Sequence, residues 1–141
     1  MLYTILINSL LVSLAVLVHY EILRQLSLFV PRLTIRHRLR VLFGVFGALC
    51  AHVIEIWLFA FGYYFMVHVD GFGTLAGNFD HSLLDCSYFS FSTYTSLGLG
   101  DIAPLGNIRF LAGLEALTGL VLITWSASFM FIEMTKFWEG K

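Results

Sequence analysis

Three apolar stretches set the terms on which this chain can fold. Leu2–Tyr20, Val41–Val69 and Asn107–Ile132 are each long enough to cross a bilayer, which takes about 20 predominantly apolar residues. Hydrocarbon offers no water to backbone N–H and C=O groups, so each crossing must satisfy its own hydrogen bonds as a helix. The 141 residues are 59% hydrophobic and only 12% charged, against about 45–50% and about 25% in soluble domains. The expected class is an all-α membrane protein with three transmembrane helices. Leu2–Tyr20 could also be read as a signal peptide. It lacks a basic n-region, however, and runs on into Glu21, Arg24 and further apolar sequence, so a retained helix is expected.

The charges that do occur are unevenly placed. Arg24, Arg32, Arg36, Arg38 and Arg40 fall in Ile22–Arg40, among apolar residues and around Pro31, and Lys136 and Lys141 lie in a short tail. Arginines interleaved with apolar residues suit the membrane–water boundary. The segment is expected to lie on the cytoplasmic face and to meet anionic lipids. Spacing of two and the proline set it apart from a voltage sensor. The positive-inside rule places both basic segments in the cytoplasm of a plasma (inner) membrane protein, with the N-terminus outside. The connection from Asp70 to Asn107 then faces outward, where it carries Asp70, Asp80 and Asp85.

Within that connection, Ser82–Thr95 is too short to cross but suits a half-crossing, re-entrant helix. Such backbone is tolerated only where protein or a water-filled cavity surrounds it. Next comes Ser96-Leu97-Gly98-Leu99-Gly100-Asp101, with Pro104 beyond. Alternating glycines, free of Cβ, let a backbone turn its carbonyls toward one axis, and rings of carbonyls can replace an ion's water shell.

This stretch resembles the T-V-G-Y-G-D filter signature of the potassium-channel superfamily, and most nearly the G-L-G-D filters of the second pore loops of two-pore-domain potassium channels. The residues from about Leu83 to Phe131 are similar to that family's pore half. Arg109–Gly119 is similar to the inner helix of bacterial ion-channel proteins. The resemblance implies two regions. Residues 1–40 would form a first helix and a basic connection. Residues 41–141 would form a pore module of outer helix 41–69, pore helix about 82–95, filter 96–101, inner helix 107–132 and short tail. It implies carbonyls from Ser96, Leu97, Gly98 and Leu99 around potassium ions, with Gly100 closing the outer end. Thr93, Thr95, Ser92 and Asp101 would support the filter. Gly119 falls where many inner helices bend, and Ile123 and Ala127 would line the cavity below. One loop per chain implies a homotetramer. Against the family pattern, Leu99 replaces a tyrosine, Ser92 stands where some members hold a carboxylate, and Ser96 replaces threonine. Each change removes or weakens a brace.

Ionisable groups inside spans are costly and face protein or water. His52 and Glu55, three apart on one helix face, and Glu115 are expected to make structural bonds behind the filter, with Glu55 pairing with His52 or reaching Glu115. Proton-sensitive gating and a metal or haem are the lesser readings, because H-x-x-E supplies only two ligands and haem ligation by His19 or His52 has no second motif. Cys50 and Cys86 read as buried free thiols. Trp125 and Trp138 suit boundary anchoring or packing, and Thr124, Ser126, Ala127 and Ser128 permit close helix approach.

The sequence offers no nucleophile–base pair, phosphate loop or complete metal site, so an enzyme is not expected, nor is a cofactor or a nucleic-acid partner. Potassium at the filter carbonyls is the one expected metal. The reading is passive potassium conduction, with a weakly selective monovalent-cation channel or a non-conducting membrane scaffold as alternatives.

Overall fold

A computed structural model describes residues 2–138; Lys141 and the side chain of Trp138 lie outside what it describes. Four helices and a two-stranded ribbon follow in the order α1 (Leu2–Phe29), a 3-10 turn (Val30–Arg32), α2 (His37–His68), β1 (Thr74–Gly77), α3 (Leu83–Tyr94), β2 (Ile102–Leu105) and α4 (Ile108–Trp138). α1, α2 and α4 each have the length and apolarity to cross a membrane. The chain is therefore mostly helical, as expected, with three candidate spans.

The end of α1, the end of α4 and a ribbon differ from expectation. α4 runs past the expected Ile132 to Trp138, so Lys136 lies in its last turn and not in a separate tail. α1 does not stop at Tyr20 but runs to Phe29, so Ile22–Phe29 continues the first span instead of forming a separate interfacial piece. The break falls where Pro31, which has no N–H to give to a helix, converts the chain into a 3-10 turn. The ribbon was also unforeseen. β1 and β2 pair antiparallel from Thr74–Leu105 to Gly77–Ile102, with Leu75 and Ile102 turned into the core.

The spans carry their polarity inward. The buried residues of α1 are Thr4, Asn8, Ala15, His19 and Leu23, a stripe at helical spacing, while Leu6, Leu10, Leu14 and Leu17 are exposed. α4 repeats the pattern, burying Leu111, Glu115, Thr118, Leu122 and Ser126. This inverts the soluble arrangement, as it must where the surrounding solvent is hydrocarbon. α1 packs closely on α2, with the Leu11 and Leu26 side chains lying over Gly62 and Gly47. Both cysteines are free. Cys86 is buried as expected, and burial pushes its thiol up to about 11. Cys50 is exposed, on the outer surface of α2.

α3 is a helix with defined ends. Ser82 caps its N-terminus, the hydroxyl accepting from Asp85 N at 3.0 Å, a side-chain oxygen replacing a missing intrahelical acceptor. The Asp85 carboxylate in turn accepts from Asp80 N at 2.8 Å, so two of the three outer aspartates organise the helix start. At the other end Ser96 adopts φ +57°, the left-handed turn that stops a helix.

The ribbon fixes the far end of the glycine loop. Gly77 sits at φ +115°, and a Cβ there would overlap the Asp101 carbonyl oxygen, whose other neighbour is Asn78 N at 3.1 Å. Gly77→Ala is expected to lower stability by about 1–3 kcal/mol through backbone strain alone, more if the ribbon parts. Thermal unfolding in detergent measures it, with Gly71→Ala, whose Cβ would meet no atom, as comparison.

Candidate functional site

The site is the loop from Thr95 to Asp101 and the helix that delivers it. Backbone φ is positive at Ser96, Gly98 and Gly100, at +57°, +58° and +82°, so every second residue is left-handed. Glycine takes this conformation freely. Serine takes it with less clash than the β-branched threonine of the family pattern.

The hydrogen bonds show what the alternation achieves. Ser96 N donates to Thr93 O at 2.9 Å, and Leu97 N and Gly98 N both donate to Ser92 O at 2.9 and 3.2 Å. Leu99 N donates to Ser92 Oγ at 3.1 Å. Four successive N–H groups thus point back at the end of α3. In a planar trans peptide the C=O is directed opposite to the N–H. The carbonyls of Thr95, Ser96, Leu97 and Gly98 therefore face away from α3. The loop has little cover on that side, with Leu97 65% and Leu99 56% exposed.

Ser92 thereby holds the loop with both its carbonyl and its hydroxyl. The resemblance marked it as a weakened brace, and it lacks the carboxylate of other members, but it supplies a brace of its own. Asp101 is held from the side, where Tyr88 Oη donates to its carboxylate at 2.9 Å. Sequence reasoning missed that role of Tyr88. The thirteen-residue separation, from one face of α3 to the loop's end, becomes visible only once the loop doubles back. Thr95 Oγ1 closes onto Phe91 O at 2.7 Å.

Behind the loop, α3 is pinned by two buried carboxylates. Glu55 of α2 accepts from His19 Nδ1 at 2.8 Å, from the Tyr94 hydroxyl, and lies 3.2 Å from His52 Nδ1. Glu115 of α4 accepts from Tyr63 Oη and from Ser90, whose hydroxyl is also 2.8 Å from Ile56 O. The pairing of Glu55 with His52 is present. No hydrogen bond joins Glu55 to Glu115 among the described residues. Each is satisfied separately, and His19, Tyr94, Tyr63 and Ser90 are partners that the sequence did not disclose.

Gly119 lies against the end of α3, where a Cβ would overlap the Tyr94 carbonyl. α4 runs unbroken through it, so its immediate use is close approach. Ile123 and Ala127, one and two turns on, are left uncovered by the chain.

Two tests follow. Ser90→Ala removes a donor from the fully buried Glu115 carboxyl and is expected to destabilise by about 1–3 kcal/mol, with Ser90→Thr recovering most of it in the same melting assay. Donation to Asp101 holds the Tyr88 phenol above its ordinary value of 10.0. A raised value means that the bond contributes fully below pH 10 and is lost as pH rises through the raised value. Melting temperature should therefore fall more steeply with alkaline pH in the unaltered protein than in Tyr88→Phe.

The family model described as "Ion channel" (Ion_trans_2) matches residues 51–136, more than half of the chain, and spans most of α2, all of α3, the glycine loop and most of α4. No curated protein and no solved structure matches the chain. The matched region contains the hydrogen-bonded loop, the helix behind it and most of both flanking spans, and the chain belongs to the two-transmembrane-type ion-channel family.

Proposed function

We propose that the chain conducts potassium passively across the membrane, as a homotetramer in which four glycine loops surround one axis. One observation carries the reading. Four successive N–H groups of the loop are consumed by α3, which leaves a run of carbonyls to face the uncovered side. Ser96, Leu97 and Gly98, from that run, and Leu99, which the family pattern adds, are the ion-coordinating residues in this reading, and Gly100 closes the outer end. Carbonyl rings of this kind exchange for an ion's water shell. A single chain supplies one quarter of such a ring. The exposed Leu97 and Leu99 then pack between subunits, and Ile123 and Ala127 line the cavity under the filter.

Orientation follows from charge. With Arg24 to Arg40 and the tail in the cytoplasm, α3 enters from outside and aims its C-terminal end at the pore. The unpaired carbonyls of a helix end carry partial negative charge, which favours a cation. Arg32, Arg36 and Arg38 are exposed and are the residues proposed to meet anionic headgroups. Arg24 is engaged with Glu21 at 3.2 Å, and Arg40 donates to Leu33 O at 2.7 Å.

Weak selectivity is the second reading, favoured by Leu99, which has no hydroxyl to tie to α3. Flux into liposomes holding the purified protein decides between them, with Gly98→Ala as control. A Cβ at Gly98 meets no atom, so that variant strains only the loop backbone, by about 1–2 kcal/mol. Potassium flux well above sodium and abolished in Gly98→Ala is the expected result. Equal fluxes abolished in the variant would establish the weakly selective pore. Absence of flux at every lipid composition and voltage would overturn conduction.

A further inference from the structure

His52 and Glu55 lie one helical turn apart on α2, and the fold brings His19 of α1 to meet them. One potential ligand atom from each of the three lies within 4.8 Å of the others. The side chains of His19 and Glu55 are fully buried, and that of His52 is only 14% exposed. We propose that His19, His52 and Glu55 bind a divalent transition-metal ion of the zinc class, which clasps α1 to α2. The proposal concerns binding between helices and stands whether or not the chain conducts.

Two imidazoles and one carboxylate form a donor set suited to borderline-soft divalent ions, with a fourth position left for another oxygen. The Glu55 carboxylate already meets both imidazoles, with a different oxygen toward each. His19 Nδ1 is 2.8 Å from Glu55 Oε1, and His52 Nδ1 is 3.2 Å from Glu55 Oε2. Donors around a zinc ion with bonds of about 2.0–2.2 Å sit roughly 3.3 Å apart. The Tyr94 hydroxyl, 2.9 Å from His52 Nδ1, stands at the fourth position.

Binding requires Nδ1 of each imidazole to present a lone pair, so its proton must move to Nε2. At His19 that tautomer has a partner, because Nε2 lies 3.4 Å from Ser126 Oγ, which can accept it. A hydrogen bond at the far nitrogen both fixes the ring and selects the tautomer of metal-bound histidines. The ion then takes the place of the proton now shared between His19 and Glu55, and Glu55 remains a carboxylate.

The competing imidazole pair is His68 and His81, whose rings are 6.5 Å apart. The test therefore uses full-length, tag-free His68→Ala in detergent, stripped with chelator and dialysed against Zn2+. One zinc per chain is expected, with X-ray absorption showing two imidazoles and carboxylate oxygen at about 2.0–2.2 Å. Adding His19→Ala or His52→Ala should weaken binding beyond the roughly 10–100-fold that loss of a mere ligand-orienting partner brings. Absence of bound zinc in His68→Ala, or a zinc shell with fewer than two imidazoles, would overturn the site. That spectrum needs neither further variant, so it decides even if His19→Ala fails to fold.

Discussion

A carboxyl group among membrane helices is stable only where side chains replace the water it has lost, and Glu55 and Glu115 meet that demand through one face of α3. Their partners there, Tyr94 and Ser90, are four residues apart and so lie one above the other on the helix. α2 grips the last turn of α3 and α4 grips the turn before it. Each grip is a buried polar bond in hydrocarbon surroundings, where a misplaced partner leaves a group unsatisfied. The two carboxyls thus fix the height and rotation of α3, and everything that α3 presents to the glycine loop depends on that placement.

What α3 presents is chiefly Ser92. Its carbonyl and hydroxyl take up three N–H groups of the loop, and Thr93 takes a fourth. Backbone polar groups inside a membrane need an accounting. Here the donors are assigned inward and the acceptors are released outward. The left-handed residues at 96, 98 and 100 make this possible, because a uniformly extended strand would turn alternate N–H groups away from α3. The loop's far end is held independently, by Tyr88 on the Asp101 carboxylate and by Asn78 on the Asp101 carbonyl. Shape is therefore imposed from both ends and from behind.

Much of this was legible in the sequence, for physical reasons that also explain what was not. α2, α3 and the start of α4 lie close to their expected bounds because apolar length and a proline-flanked glycine loop are local signals. α1 overruns its expected end because an arginine such as Arg24 does not stop a helix, whereas Pro31 removes a helical hydrogen bond. The ribbon was hidden because Thr74–Gly77 and Ile102–Leu105 are four residues each, too short for alternation to show, and they pair across an intervening helix. His52 and Glu55 were singled out because they are one turn apart. His19 was linked to no partner because its contact spans 36 residues, and no periodicity reaches that far. Ser92 is among the expected supports of the loop, but how much it holds is not legible in the sequence. Its weight rests on its backbone carbonyl, which every residue type has.

The same bond bears on what α1 contributes. The family match begins at residue 51, so α1 lies outside it. A helix merely added to a pore module could have met it with leucines alone. α1 instead buries Thr4, Asn8 and His19, and His19 completes the coordination of a carboxyl that belongs to the matched region. Without it, Glu55 Oε1 would have no donor among the described residues and would sit in hydrocarbon, a loss of about 1–3 kcal/mol or more for a charged group. Relief would come from shifting Glu55, and with it the Tyr94 hydroxyl. Tyr94 is the last residue of α3, two before the left-handed Ser96. A change at α1 therefore reaches the loop through three side chains, each fixed by the one before it, and α1 is built into the site's support.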